Sequence, residues 1–164
     1  MTSYGAYSRS RCIVVGYDGS PASRAALARA ADRAGADGKV YVVHAYALPT
    51  DWIAGPPYQE LLDIQLNRAR DLMAGLEEES GADLRGVSWE PEVIGDAPAR
   101  AIVHVAATRE ADEIVLGTRG FGRARALLGS VAHEVIHLAE CPVTVIPERA
   151  VEPAEARTES GLAS

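Results

Sequence analysis

Short runs of β-branched and apolar residues alternate along the chain with longer segments whose apolar positions recur every three or four residues. The runs are typical of strands buried on both faces of a sheet, and the longer segments are typical of amphipathic helices. Strands are predicted at residues 12–16 (β1), 40–46 (β2), 87–94 (β3), 113–116 (β4) and 143–146 (β5), and helices at 21–34 (α1), 58–80 (α2), 98–109 (α3) and 130–139 (α4). This strict alternation predicts an α/β fold, with one doubly wound parallel sheet and helices on both of its faces.

The third predicted strand differs from the others and indicates the order of the sheet. It alternates apolar and polar residues and contains Pro91, which cannot donate to a hydrogen-bond ladder, so β3 is expected at an edge. With the short β5 at the other edge, the simplest order is 3-2-1-4-5. Ligands of such folds bind at the switch point, here between the carboxyl ends of β1 and β4. This doubly wound domain is predicted between a flexible N-terminal segment, residues 1–10, and a disordered acidic tail, residues 148–164.

Composition and charge narrow the class of protein. The chain is 48% hydrophobic with 5% aromatic residues, so its core must be built mainly from aliphatic side chains. A formal net charge of -7 argues against a general nucleic-acid binder. The sequence has neither an apolar run of membrane-spanning length nor a signal peptide, which predicts a cytoplasmic protein. Cys12 and Cys141 are interpreted as small apolar residues in a reducing compartment rather than as a disulfide.

The glycine-rich segment after β4, residues 117–130, is the strongest candidate for a binding site. Glycines allow backbone amides to approach an anion, and the segment leads directly into the N-terminus of α4, which favours negative charge. Three arginines add positive charge, Arg119, Arg123 and Arg125. The alternative is an ordinary connector with solvated arginines. The segment is not a P-loop, because the required Gly-Lys pair is missing and Lys39 is the only lysine of the chain.

A carboxylate follows β1 at the same edge of the sheet. Asp18 could accept hydrogen bonds from a ribose or a base bound at the switch point. It could equally cap backbone amides of the turn in which it lies, which is the common structural role of such a residue. The sequence leaves both roles open.

Four segments together resemble the universal stress protein family over about residues 11–147. They are residues 13–20 (IVVGYDGS), 95–98 (GDAP), 117–130 and 141–147 (CPVTVIP). The resemblance implies a five-stranded flavodoxin-like fold, dimers and, in one branch of the family, an ATP site with the motif G-x2-G-x9-G-[ST]. This chain has eight residues between Gly120 and Gly129, one fewer than that motif.

The resemblance also implies site residues. Asp18 and the backbone near Tyr17 and Ala45 would contact adenosine. The phosphates would be held by Gly117, Gly120, Gly129, Ser130 and Val131, with Arg119 adding positive charge. Because Gly117 is expected to bring backbone close to phosphate, Gly117→Val is expected to abolish binding and to leave the fold intact.

These observations predict a nucleotide-binding stress-response or regulatory protein that holds ATP, with or without Mg²⁺, and hydrolyses it slowly at most. A different class remains open, a dimeric interaction module that binds no nucleotide. A homodimer is predicted through β5, an uncharged edge strand whose residues are Val143, Thr144, Val145 and Ile146. Thr144→Pro or Val145→Lys is expected to block it. The other expected partner is an unidentified regulatory protein. Neither nucleic acid nor a membrane is expected as a partner.

Residues 133–137 match H-E-x-x-H, the zincin signature in which two histidines bind zinc and a glutamate acts as base. A zinc metallohydrolase using His133, Glu134 and His137 is therefore a remote alternative. A helical wheel places Val131, Val135, Leu138 and Ala139 on the buried face, which leaves both histidines on the solvent side. No third ligand is evident, so no metal is assigned to the site. His44, near the end of β2, is interpreted as a hydrogen-bonded core histidine.

Overall fold

A computed structural model of the chain describes residues 10–48, 56–118 and 128–147. The strands are β1 (Cys12–Gly16), β2 (Lys39–Tyr46), β3 (Ser88–Gly95), β4 (Glu113–Gly117) and β5 (Val143–Ile146), and the helices are α1 (Pro21–Ala34), α2 (Pro56–Ser80), α3 (Pro98–Thr108) and α4 (Ser130–Leu138). The five strands form one parallel sheet in the order β3-β2-β1-β4-β5. The structure thus confirms the predicted fold class and strand order.

The beginning of α2 differs from the prediction, which placed it at residue 58. The helix already begins at Pro56 and includes Pro57 in its first turn. Proline is tolerated there because the first amides of a helix have no partner within it. The apolar stripe then buries Ala69, Met73 and Leu76.

The core consists of two apolar layers, one on each face of the sheet. The first layer joins β1 and β2 to α1 and α2, and it includes Ile13, Val15, Leu27, Val42 and Leu76. The second joins the strands to α3 and α4, and it includes Val14, Val43, Ile102, Leu116 and Val135. Alternate residues of β1 and β2 therefore enter opposite layers, as expected of strands covered on both faces.

The first helix is fixed at both ends by local hydrogen bonds. The Ser20 hydroxyl accepts the backbone N–H of Ser23 at 3.2 Å, which satisfies one of the unpaired amides of the first turn. At the other end Gly35, with φ of 65°, donates its N–H to the carbonyl of Ala31. Glycine suits this position because a left-handed backbone is strained for other residues.

The edge strand β3 is protected by charged side chains, a common defence against edge-to-edge association. Glu90 forms an ion pair with Lys39 at 2.7 Å, and Glu92 forms one with Arg109 at 2.5 Å. Lys39 and Arg109 also lie over the ring of Tyr41, 4.8 Å and 4.5 Å from its centroid. Proximity to Lys39 lowers the pKa of the Glu90 carboxyl.

A buried carboxylate ties α1 to the other edge of the sheet. Glu113 is 9% exposed, and its Oε1 lies 2.5 Å from Nη1 of Arg33 in the last turn of α1. The same guanidinium donates to Thr144 Oγ1 at 3.0 Å, and the Thr144 hydroxyl donates to Glu113. The side chain of Thr144 therefore has a structural role inside the subunit.

Neither cysteine forms a disulfide within the described residues, and both are half-buried rather than fully enclosed in the core. Burial raises the pKa of the Cys141 thiol. None of the described helices is long and apolar enough to cross a membrane. The predicted acidic tail and all but Ser10 of the predicted flexible N-terminus lie outside the described residues.

Candidate functional site

A cavity of about 430 Å³ opens at the carboxyl ends of β1, β2 and β4, beside the N-terminus of α4. This is the switch point predicted from the strand order, and the volume is typical of small-molecule sites. The lining residues are Gly16, Tyr17, Asp18, Ser23, Val43, His44, Ala45, Pro98, Ile102, Leu116, Gly117, Thr118, Gly129, Ser130, Val131 and Ala132.

Tyr17 lines the cavity, and its side chain belongs to the core. Its N–H donates to the carbonyl of Val43 at 2.8 Å, and its carbonyl lies 2.8 Å from Nδ1 of His44. Because a carbonyl only accepts, Nδ1 of His44 carries the hydrogen. The Tyr17 ring belongs to the layer under α1 and α2, where its hydroxyl is buried near Arg24 and Ser80. Burial raises the pKa of that hydroxyl.

Asp18 lies in the turn between β1 and α1. Its Oδ1 accepts the backbone N–H of Ser20 at 3.0 Å, which confirms the capping role that the sequence left open. The turn continues through Gly19, whose φ of 78° is in the left-handed region. Asp18 is nevertheless exposed and lines the cavity, so its carboxylate is also placed to meet a ligand.

The glycine-rich segment starts and ends beside the cavity. Thr118 donates its N–H to the carbonyl of Ile146 at 2.9 Å, and the carbonyl of Thr118 accepts the N–H of Gly129 at 2.7 Å. Gly129 is the N-cap of α4, and no side chain caps this end of the helix. The first-turn amides of a helix lack intrahelical partners, and three residues of that turn, Ser130, Val131 and Ala132, line the cavity.

Gly117 is required by packing as well as by the proposed site. A Cβ atom at this position would lie 2.6 Å from the carbonyl carbon of Ala22 and 2.8 Å from its oxygen. These are backbone atoms of α1, which cannot move aside as a flexible side chain could. The expectation that Gly117→Val leaves the fold intact is therefore wrong.

A sequence profile described as "Universal stress protein family" matches residues 10–147, nearly the whole of the described domain. The chain belongs to the universal stress protein family. A relative from Thermus aquaticus, named "Universal stress protein in QAH/OAS sulfhydrylase 3'region", is 37% identical over 139 residues, which is 83% of this chain and 98% of the relative. The chain spans about half, 47%, of the length of mycobacterial relatives that carry the same family name.

Solved structures agree with this assignment. Universal stress protein UspA from Lactobacillus plantarum superposes with a TM-score of 0.71 at 26% identity, covering 84% of this chain and 98% of that one. The universal stress protein from Archaeoglobus fulgidus in complex with dAMP superposes with a TM-score of 0.58 at 29% identity, covering 83% of this chain and 97% of that one. Both share the flavodoxin-like α/β architecture of this universal stress protein.

In this universal stress protein, seven of the nine predicted binding residues line one cavity. They are Tyr17, Asp18, Ala45, Gly117, Gly129, Ser130 and Val131, and their contact with a ligand stays a prediction. Arg119 and Gly120 lie outside the described residues, as do Arg123 and Arg125.

Several lining residues of the universal stress protein were not predicted, among them Ser23, His44, Pro98, Ile102, Thr118 and Ala132. Thr118 could have been found, because it follows Gly117 at the end of a central strand. His44 is hydrogen-bonded as predicted, but it also lines the cavity. Ser23 and Ala132 carry no local signal, since their place in the wall depends on how helices meet the sheet.

The cavity walls combine two kinds of surface. Val43, Ile102 and Leu116 form an apolar part that continues the core layer under α3 and α4. Asp18 and Ser130 supply an exposed carboxylate and an exposed hydroxyl, whereas the buried Ser23 hydroxyl donates to the carbonyl of Ser20. Such a site can enclose a flat apolar ring while offering polar contacts to attached hydroxyl and anionic groups.

The H-E-x-x-H segment of this universal stress protein lies on α4, outside the cavity lining. His133 and His137 are exposed, which confirms the predicted orientation. Leu138, however, is 45% exposed, so its predicted place on the buried face is wrong, and Ala132 is buried instead. Leu138 is the last residue of the helix, and α4 packs only its inner side against α3 and β5.

Proposed function

We propose that this universal stress protein binds an adenine nucleotide in the cavity between the ends of β1 and β4. The base would occupy the apolar part of the cavity, the ribose would meet the Asp18 carboxylate, and the phosphates would meet the N-terminus of α4. ATP, with or without Mg²⁺, is the ligand that the family motif favours. The dAMP complex of the Archaeoglobus fulgidus relative supports an adenine nucleotide as the ligand class.

One observation carries this proposal. A single cavity holds both the exposed carboxylate of Asp18 and the first turn of α4, which no side chain caps. A carboxylate suits neutral hydroxyl donors, whereas unpaired amides and the helix dipole suit anions. A nucleoside phosphate carries both kinds of group on one molecule.

We infer that binding rather than turnover is the function, in a stress-response or regulatory role. Among the described lining residues, the groups that titrate are Asp18, His44 and Tyr17. The Tyr17 side chain lies in the core, and Nδ1 of His44 is engaged by a carbonyl. Asp18 alone offers a carboxylate to the cavity, and it already accepts a backbone amide of its turn.

The first test is to denature the protein as purified and to identify any released nucleotide. Calorimetric titration with ATP, AMP and adenosine then compares wild type with Asp18→Asn. Asparagine retains an oxygen that can accept the Ser20 amide but loses the charge, so about tenfold weaker binding is expected from the loss of one charge-assisted hydrogen bond. Asp37→Asn, in the exposed turn after α1, is the matched control. If the purified protein releases no nucleotide and binds none in the titration, the result would favour the interaction module instead.

We also propose that two copies pair through β5. The carbonyl of Pro142 accepts the N–H of Ile114 in β4, and the carbonyl of Ile146 accepts that of Thr118 just after β4. By alternation, the backbone of Val143 and Val145 therefore faces away from the sheet. That outer edge carries no charged side chain. Antiparallel pairing with a second copy about a two-fold axis would satisfy its free amides.

A further inference from the structure

The outer face of α4 carries two histidines one helical turn apart. His133 and His137 are both exposed, and they lie on the side of the helix opposite the buried residues Ala132 and Val135. They are four positions apart in sequence, which places their side chains next to each other along the helix. Solvent therefore reaches both rings at the same place.

The two rings already lie in contact. Their centroids are 4.7 Å apart and their planes are inclined by 71°. Within the described part of the chain, neither ring forms a hydrogen bond or an ion pair. Both rings are therefore available to a ligand that reaches them from solvent.

We propose that His133 and His137 form a surface site for one divalent late transition-metal ion, such as Zn²⁺, Cu²⁺ or Ni²⁺. Imidazole nitrogen is a preferred ligand of these ions, whereas Mg²⁺ and Ca²⁺ prefer oxygen. Bonds of about 2.0–2.1 Å from each ring to zinc would join the two side chains across one turn. The exposed carboxylate of Glu134, beside His133 on the same helix, adds negative charge near the ion.

The site differs from a zinc-peptidase centre. No group of three His, Cys, Asp or Glu side chains within the described ranges could hold a metal. Catalytic zinc usually has three protein ligands, and structural zinc has four. The ion on α4 is thus held by two protein ligands, with water in its other positions, and this site is independent of the proposed nucleotide cavity.

Metal binding would stabilise the folded protein. The two imidazoles keep this spacing only while α4 is helical, so an ion that binds the pair favours the folded state over the unfolded one. Zinc should therefore raise the Tm of the wild type, and the rise should grow with the logarithm of the zinc concentration once it exceeds the Kd. The effect should vanish when either histidine is replaced.

The test uses ZnCl₂ as the probe, with calorimetry and thermal unfolding at neutral pH. We expect one zinc per chain in the wild type and at least tenfold weaker binding in both His133→Gln and His137→Gln. His104→Gln removes a single exposed histidine from α3 and should change nothing. Because all three side chains are exposed, the variants should fold, which circular dichroism would verify.

A second variant separates the spacing from the number of histidines. His137→Gln combined with Leu138→His keeps two histidines on α4 but moves the second to another side of the helix. Leu138 is 45% exposed, so the replacement is accommodated. This variant should bind zinc as weakly as His137→Gln. Wild-type affinity in it, or in the double variant His133→Gln/His137→Gln, would overturn the proposal, as would absence of zinc binding by the wild type at millimolar zinc.

Discussion

The backbone N–H of Gly129 donates a 2.7 Å hydrogen bond to the carbonyl oxygen of Thr118. This bond joins the two ends of the glycine- and arginine-rich segment beside the cavity. The segment is one residue shorter than the ATP-binding motif that it resembles. Gly117 and Ser130, which flank the bonded pair, both line the cavity.

The salt dependence of binding tests whether Arg119, Arg123 and Arg125 act on the phosphates. ATP should bind more tightly than adenosine, and the difference should shrink as salt rises from about 0.05 to about 0.5 M, because salt screens exposed charges. Calorimetry at several salt concentrations measures both ligands, with uncharged adenosine as the internal control. A preference for ATP that does not change with salt would contradict this role.

A negative charge in the first turn of α4 should separate binding from stability. In Ser130→Asp the new carboxylate interacts favourably with the helix dipole, by about 0.3–1 kcal/mol, so the Tm should be unchanged or higher. The same charge would repel phosphate, and ATP affinity should fall at least tenfold. Ser88→Asp, on the exposed first residue of β3, is the control. Unaltered ATP affinity in Ser130→Asp would place the phosphates elsewhere.

Two glycine-to-alanine variants test the close packing of β4 on α1. A Cβ at Gly117 would clash with the Ala22 backbone, so Gly117→Ala should lower the free energy of unfolding by about 1–3 kcal/mol. Gly75 lies within α2, and a Cβ there meets nothing within 4 Å. Because alanine favours a helix more than glycine does, Gly75→Ala should raise the free energy of unfolding by about 0.5–1 kcal/mol. Urea unfolding measures both. Equal effects of the two variants would refute the packing argument.

Stability in acid should depend on Asp96. Its carboxylate accepts the N–H of Ala97 and the guanidinium of Arg100, both at 2.6 Å, and these contacts lower its pKa below the ordinary value. Because the folded pKa lies below the unfolded one, this stabilisation is complete at neutral pH and is lost as the pH falls through the folded pKa.

Urea unfolding of Asp96→Asn and wild type at several pH values checks this expectation. The difference in unfolding free energy should be largest near neutral pH and should shrink toward about pH 3, where carboxyl groups become protonated. Asp37→Asn, in the exposed turn after α1, is the control for replacing one surface carboxylate. A difference between wild type and Asp96→Asn that stays constant with pH would count against the assignment.

Dimerisation is best tested at Val145. Its amide faces outward, so Val145→Pro removes a donor from the edge without breaking the ladder with β4, and dimers should dissociate. Val145→Ala shortens the side chain but keeps the amide, and it should remain dimeric. Thr144→Pro is unsuitable, because the Thr144 backbone faces β4 and its side chain binds Arg33 and Glu113. Sedimentation distinguishes the outcomes, and a wild type that is monomeric at tens of micromolar would refute the dimer.

The sequence by itself determined the elements and their order. The apolar run of β1, the proline inside β3 and the capping residues Ser20 and Gly35 are local signals, and each corresponds to a local energetic preference. The alternation of strands and helices then left few topologies, so the switch point and the glycines around it could be located in advance. The outward direction of His133 followed from helical periodicity alone.

Tertiary structure alone decided the contacts between distant segments. The approach of Gly117 to Ala22, the hydrogen bond from His44 to Tyr17 and the engagement of Thr144 by Arg33 each join different elements. The same applies to the exposure of Leu138, which depends on how far α3 and β5 extend along α4. Sequence periodicity says which side of an element is apolar. It does not say which residue of another element will lie against it, because that depends on the packing of side chains brought together only by folding.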